Sequence, residues 1–151
     1  ARVQGLLGPA SVLTAVLRGG RSPADQVRLV PWGTDEAERE ATPAPWPGQL
    51  PAPAPATVLV QPAPATVQDA RGQPVTVGAR LAVSAAPAWL SIADDPPARI
   101  AGWTGPWPVH ERWWAPAEAR RLARFQVRLT DGRALLLVRA GGRWSVAAWY
   151  D

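Results

Sequence analysis

The sequence predicts a mainly β protein: a small antiparallel β-barrel or sandwich, OB-like or SH3-like in size, behind an irregular, partly helical segment and a Pro-rich linker. Three observations carry this. Residues 123–150 alternate apolar and polar with the period-2 spacing of strands, broken at Asp131-Gly132 and Gly141-Gly142. Short β-branched runs recur from Thr57 to Val77. Before them, Pro43–Ala56 alternates proline with alanine, and proline fixes φ and removes a donor, so this stretch favours extended polyproline II over packed structure.

Taken in order, Val3, Leu6 and Leu7 recur at helical spacing, and Gly8-Pro9 ends that turn. Val12–Leu17 is short, apolar and partly β-branched, which predicts extended chain. Ser22 stands as N-cap before Pro23, a residue suited to a first helical position because its missing N–H is not needed there. Gln26–Val30 reads as a helical continuation or as a strand running into Pro31-Trp32-Gly33. Residues 1–34 hold too few apolar side chains for a core of their own and read as the trailing edge of an upstream domain. Residues 35–56 are an acidic, then Pro/Ala-rich linker, whose Pro43–Ala56 part could span roughly 40 Å if extended.

Residues 57–151 are the β-rich domain. Thr57–Val60, Thr66–Gln68, Val75–Val77, Arg80–Ser84 and Trp89–Ile92 are its first strand candidates, with a turn at Asp69–Gly72. Phe125, Val127 and Leu129 share one face. Asp131-Gly132 predicts a type I′ hairpin turn. Leu135–Val138, apolar on both faces, predicts a central strand, and Trp144, Val146 and Ala148 are expected on one face of the last one.

Composition narrows the chemistry. The chain has 151 residues, no cysteine and no methionine, one histidine, and a net charge of +4. Disulfides, thiolate nucleophiles and Cys-ligated metal sites are excluded, and a lone histidine does not make a zinc site. No phosphate loop or nucleophile–base pair occurs, and Glu111 and Glu118 have no partner at catalytic spacing, so the chain is expected to be no enzyme and to need no cofactor. A chain without methionine reads as a fragment or processed product. No apolar run reaches the ~20 residues of a membrane span, which points to a soluble, cytoplasmic protein.

Charge divides the chain into residues 1–34 at +3, 35–98 at −4 and 99–151 at +5. The last third also holds six of the nine tryptophans and nine of the sixteen arginines. A basic, aromatic end suits an acidic protein or a polyanion. Trp103, Trp107, Trp113 and Trp114, interleaved with Pro106 and Pro108, suit an aromatic groove for an extended peptide, although tryptophan is also a common core residue. Arg120, Arg121 and Arg124 are the expected rim, against the plainer reading of a solvated arginine face. A single-stranded nucleic-acid-binding barrel is the alternative of a different class.

Several stretches together resemble one family. Gly102–Trp114, Arg120–Val127, Asp131-Gly132-Arg133-Ala134 and the terminal Trp149-Tyr150-Asp151 look like the C-terminal end of ImuB proteins, Y-family-like polymerase homologues of bacterial mutasomes. Val3–Pro9, Gly19–Asp25 and Val30–Gly33 resemble the place where the little-finger region of those proteins ends. The chain departs from the family at His110, where an acidic residue is common. The resemblance implies an adaptor without polymerase activity in error-prone translesion synthesis, nucleoid-associated on DNA damage. It implies partners of two kinds, an ImuA-like RecA homologue and an error-prone C-family polymerase; a weak DNA contact is a further expectation. Gln49-Leu50 resembles the start of a sliding-clamp peptide, but Pro51-Ala52-Pro53 stands where an apolar or aromatic pair is required. Clamp binding is therefore not assigned to this chain.

Overall fold

Period-2 alternation over 120–150 becomes three adjacent antiparallel strands in the computed structural model, which describes residues 2–17, 20, 22–33, 49–78, 80–111 and 120–150. The side chains of Leu17, Glu111 and Arg120 lie outside that description. The chain divides into two units, Ala1–Pro45 and Trp46–Asp151, so the division falls inside the stretch read as a linker.

The first unit holds helix α1 (Arg2–Leu7) and two antiparallel strands, β1 (Leu13–Leu17) and β2 (Val27–Pro31). A 3-10 turn over Pro23–Asp25 begins at Ser22 as expected, but the Ser22 carbonyl, not its hydroxyl, accepts from the Asp25 N–H. Val3, Leu6, Leu7, Leu29 and Trp32 are exposed, whereas Val30 and Pro23 are buried. A two-stranded sheet has one face too many and buries little.

The second unit is a six-strand antiparallel ring: β3 (Thr57–Gln68), β4 (Trp89–Ile92), β5 (Ala98–Glu111), β6 (Arg120–Leu129), β7 (Ala134–Ala140) and β8 (Arg143–Tyr150). Each strand pairs with its sequence neighbours, and β3 closes the ring on β8. This is the expected mainly β architecture of a small barrel or sandwich. Its up-and-down order differs from the Greek-key order of an OB-fold.

Several local expectations are revised. Thr57–Val60 and Thr66–Gln68 are one strand, its register shifted between Val58 and Ala63. Pro62 and Pro64 are tolerated there because β3 has only β8 beside it until Ala65, where β4 begins to pair. Val75–Val77 and Arg80–Ser84 form no ladder, only the isolated bridges Gln68↔Pro74 and Val77↔Val83. Pro74 has no N–H to extend a ladder, and Leu81 turns the chain at φ 62. The 129–133 turn is not type I′: Asp131 keeps negative φ, the Gly132 N–H donates to Leu129 and Gly132 takes φ 95, which makes a three-residue loop with a glycine bulge. The two-residue turn with both centres at positive φ is Gly141-Gly142, at φ 54 and 79.

Inside the ring lie Val67, Leu90, Ile100, Phe125, Val127, Leu129, Leu135, Leu137, Trp144 and Val146. A register shift between Leu136 and Leu137 slips one extra residue into β8. Ala148 therefore sits beside Leu136, while Val146 and Trp149 pair with Leu137 and Leu135. The expected common face of Trp144, Val146 and Ala148 is thus broken at its last member. Leu136 and Ala148 are fully buried nonetheless, as a strand apolar on both faces requires.

Arg133 bonds the Asp131 carboxylate through its guanidinium at 2.7 Å and through its backbone N–H at 3.0 Å. The side-chain bond, then the backbone bond, holds the Asp131 pKa below the ordinary aspartate value. A depressed folded pKa means the pair supports the hairpin above the unfolded value, and that support is lost as pH falls through the folded one. A carboxyl-carbon NMR titration should place the Asp131 midpoint below that of a free aspartate, and Arg133→Gln should move it upward.

Candidate functional site

Gly102–Glu111 of the aromatic-proline block forms most of β5, and its neighbours explain how it stays single-sided. β4 has four residues and meets β5 only at Trp89↔Arg99 and Leu90↔Ala98. From Gly102 onward β5 pairs with β6 alone. Pro106 and Pro108 lie on this one-neighbour stretch, where a missing N–H breaks no second ladder and discourages a further strand from pairing. Two register shifts, between Ile100 and Gly102 and between Thr104 and Trp107, bend the strand. At the second, Gly105 takes φ 122, and a Cβ there would stand 2.7 Å from the Arg124 carbonyl oxygen. Only glycine fits this backbone approach.

These shifts decide where the tryptophans go. Trp103 pairs with Val127 and faces Phe125, with ring centroids 6.2 Å apart. It belongs to the core-facing set, yet it keeps 36% exposure where β5 has passed the end of β4. Trp107 falls opposite Arg124 and is half-buried. Trp113 and Trp114 lie outside the described residues. Arg120 pairs with Glu111 at the backbone, and Arg121, which is exposed, pairs with His110. Arg124, expected at a solvated rim, is instead buried at 2% exposure. It sits on the outward set of β6 with Gln126, where the sheet is covered.

A groove of about 420 Å³ opens beside Trp103. Thr104, Gln126, Arg128 and Tyr150 line it, and Ala52 and Pro53 form one side. That side belongs to the same unit: the Ala56 N–H, farther along the segment, donates to the Trp149 carbonyl at 3.0 Å. Within the groove the Gln126 side-chain amide donates to the Tyr150 hydroxyl at 2.8 Å. Burial raises the Tyr150 pKa, while the Gln126 bond and the Arg124 charge oppose the rise. The hydroxyl is therefore neutral at physiological pH and remains a donor for a guest. The groove thus brings together an aromatic ring, an amide, a phenol and an arginine.

A second hollow, about 200 Å³, lies at one mouth of the ring. His110, Arg121, Ala123, Arg139 and the Gly141-Gly142 turn line it, with Val77 and Leu81 from the preceding loop. Sequence reasoning grouped Trp103 and Arg121 in one patch, and the strand direction places them in separate hollows. It did not single out Gln126, Arg128, Tyr150 or Arg139. The alternation already marks Gln126 and Arg128 as outward-facing, but only the register brings Tyr150 beside them through Ala134. Among the described residues no group of three or more His, Asp or Glu side chains could hold a metal. No described helix is long and apolar enough to cross a membrane. Compared with known proteins, the chain matches no family, no curated protein and no solved structure.

Proposed function

We propose that this chain is the non-catalytic, protein-binding C-terminal region of an ImuB-like adaptor that works in the cytoplasm, at the nucleoid, during error-prone translesion synthesis. The family part of this reading rests on the sequence resemblance at both ends of the chain. The observation that supports protein binding is Trp103, an aromatic ring left 36% exposed beside a groove lined by Tyr150, Gln126 and Arg128. Tryptophan, tyrosine and arginine dominate interface hot spots because each offers a large contact area together with a polar handle. The partners are an ImuA-like RecA homologue and a C-family polymerase, and clamp binding remains outside this chain.

The test pairs a thermal melt with surface-plasmon binding of each purified partner. Trp103→Ala should weaken one of the two by about 2 kcal/mol or more, roughly thirtyfold. Its ring is partly solvated, so the melt should move less than for a buried aromatic. The competing reading is single-strand nucleic-acid binding, which would use Trp103 as a base platform and Arg128 as a phosphate contact in the same groove. Tight binding of decathymidylate that collapses with added salt, with no binding of either protein, would replace the proposal by that reading.

A further inference from the structure

We infer that the mouth of the ring between Arg121 and Arg139 is a carboxylate-binding site that receives an acidic side chain of a protein partner. The inference deepens the adaptor reading, on which it rests for the class of partner, and it adds a site distinct from the Trp103 groove.

Arg139 is the last core-facing residue of β7, opposite Trp144 on β8 and Ala123 on β6. Its guanidinium lies over the Trp144 ring, 5.5 Å from the centroid. That ring is itself fixed, because its indole N–H donates to the Val75 carbonyl at 2.8 Å and its face meets Phe125 at 5.0 Å. The arginine is thus held on a rigid platform rather than free to swing into solvent. Its Nε is buried and has no hydrogen-bond partner. A buried donor left unmade is costly, and such an atom in a folded protein calls for an acceptor. Arg121, two residues before Ala123 on β6, brings a second guanidinium to the same hollow, and His110 stands across from it. None of the described residues that line the hollow is acidic. Mouths of β-rings are common ligand sites, and arginine suits carboxylates by its planar fork of donors.

Chemistry favours a carboxylate over a nucleic-acid phosphate. A single strand needs a track of cations and exposed rings on which bases stack. Here the positive groups converge on one hollow of about 200 Å³ with Val77 and Leu81 as apolar walls. The nearest ring that Arg139 meets, Trp144, is 7% exposed and does not line the hollow. One carboxylate on a short aliphatic stem fits within such a space.

Isotope-labelled chain titrated with a blocked LEDEL peptide, its neutral LQNQL counterpart and decathymidylate tests this by NMR. LEDEL should shift the Gly141 and Gly142 amides and the Arg139 Nε–H, whereas LQNQL should not. Arg139→Gln should weaken LEDEL about tenfold or more, the loss expected for charge-assisted hydrogen bonds. Because Arg139 also packs on Trp144, the exposed Arg121→Glu is the companion variant: it should keep the folded spectrum and lose LEDEL binding by a similar factor. Silence of these signals with LEDEL, equal shifts with LQNQL, or unchanged affinity in Arg121→Glu overturns the inference. Decathymidylate competing for the same signals more tightly than LEDEL overturns the carboxylate assignment. If partner proteins bind normally while the mouth is silent, the site fails and the adaptor reading stands. If LEDEL binds and neither mutasome partner does, the adaptor reading fails and the site stands.

Discussion

Replacing Phe125 by alanine should lower the unfolding free energy of the ring by about 3–5 kcal/mol, the usual cost of deleting a fully buried aromatic side chain. Phe125 is 1% exposed and stands between two tryptophan rings, Trp103 at 6.2 Å and Trp144 at 5.0 Å. Truncation removes the surface both rings rest on, and neither can collapse into the gap without giving up another contact. Trp144 would have to leave the Val75 carbonyl, and Trp103 would have to leave the groove it borders. Urea unfolding followed by circular dichroism should show a lower midpoint with an unchanged slope. A loss under 1 kcal/mol would mean that the centre of the ring is not packed as described. Phe125→Leu, which keeps most of the volume, should cost less than half as much.

Gly105→Ala should cost about 3 kcal/mol, although the change adds a single methyl group. Two independent penalties combine. At φ 122 an L-residue is strained by about 1–3 kcal/mol. The new Cβ would also lie 2.7 Å from the Arg124 carbonyl oxygen and 3.3 Å from the Phe125 Cα, both backbone atoms of the paired strand that cannot swing away. The strands must part where β5 is bent, so the Trp103 groove should be disturbed together with stability. Two controls separate the causes. Gly142→Ala shares a positive φ of 79 but meets nothing within 4 Å, so it should cost only about 1 kcal/mol. Gly102→Ala has neither strain nor contact and should be close to neutral. If Gly105→Ala unfolds at the same urea concentration as Gly142→Ala, the close approach of β5 and β6 is absent in solution.

Sequence alone determined the β class, the hairpins around residues 129–133 and 140–143, and the inward face Phe125, Val127 and Leu129. The reason is that period-2 alternation and glycine turns are local: a strand half-buried on one side writes its burial into its own residues. The same locality located β1 and the Pro23 turn, while Gln26–Val30 stayed open between helix and strand until its pairing with β1 decided for β2. What the tertiary structure decided was everything that depends on register. The bulge in β8 that moves Ala148 to the face of Leu136 and the merging of two short runs into β3 both arise from which residue lies opposite which. A one-residue slip reverses every side chain of a strand, and no single strand carries the information to fix its own offset. The site shows this most clearly. The Trp103 to Trp114 block and Arg120, Arg121 and Arg124 are neighbours in sequence and were read as one patch. Along a strand, the seven steps from Trp103 to His110 span roughly 20 Å. Pairing therefore sends Trp103 to a groove with Tyr150 and Arg121 to a separate hollow with Arg139.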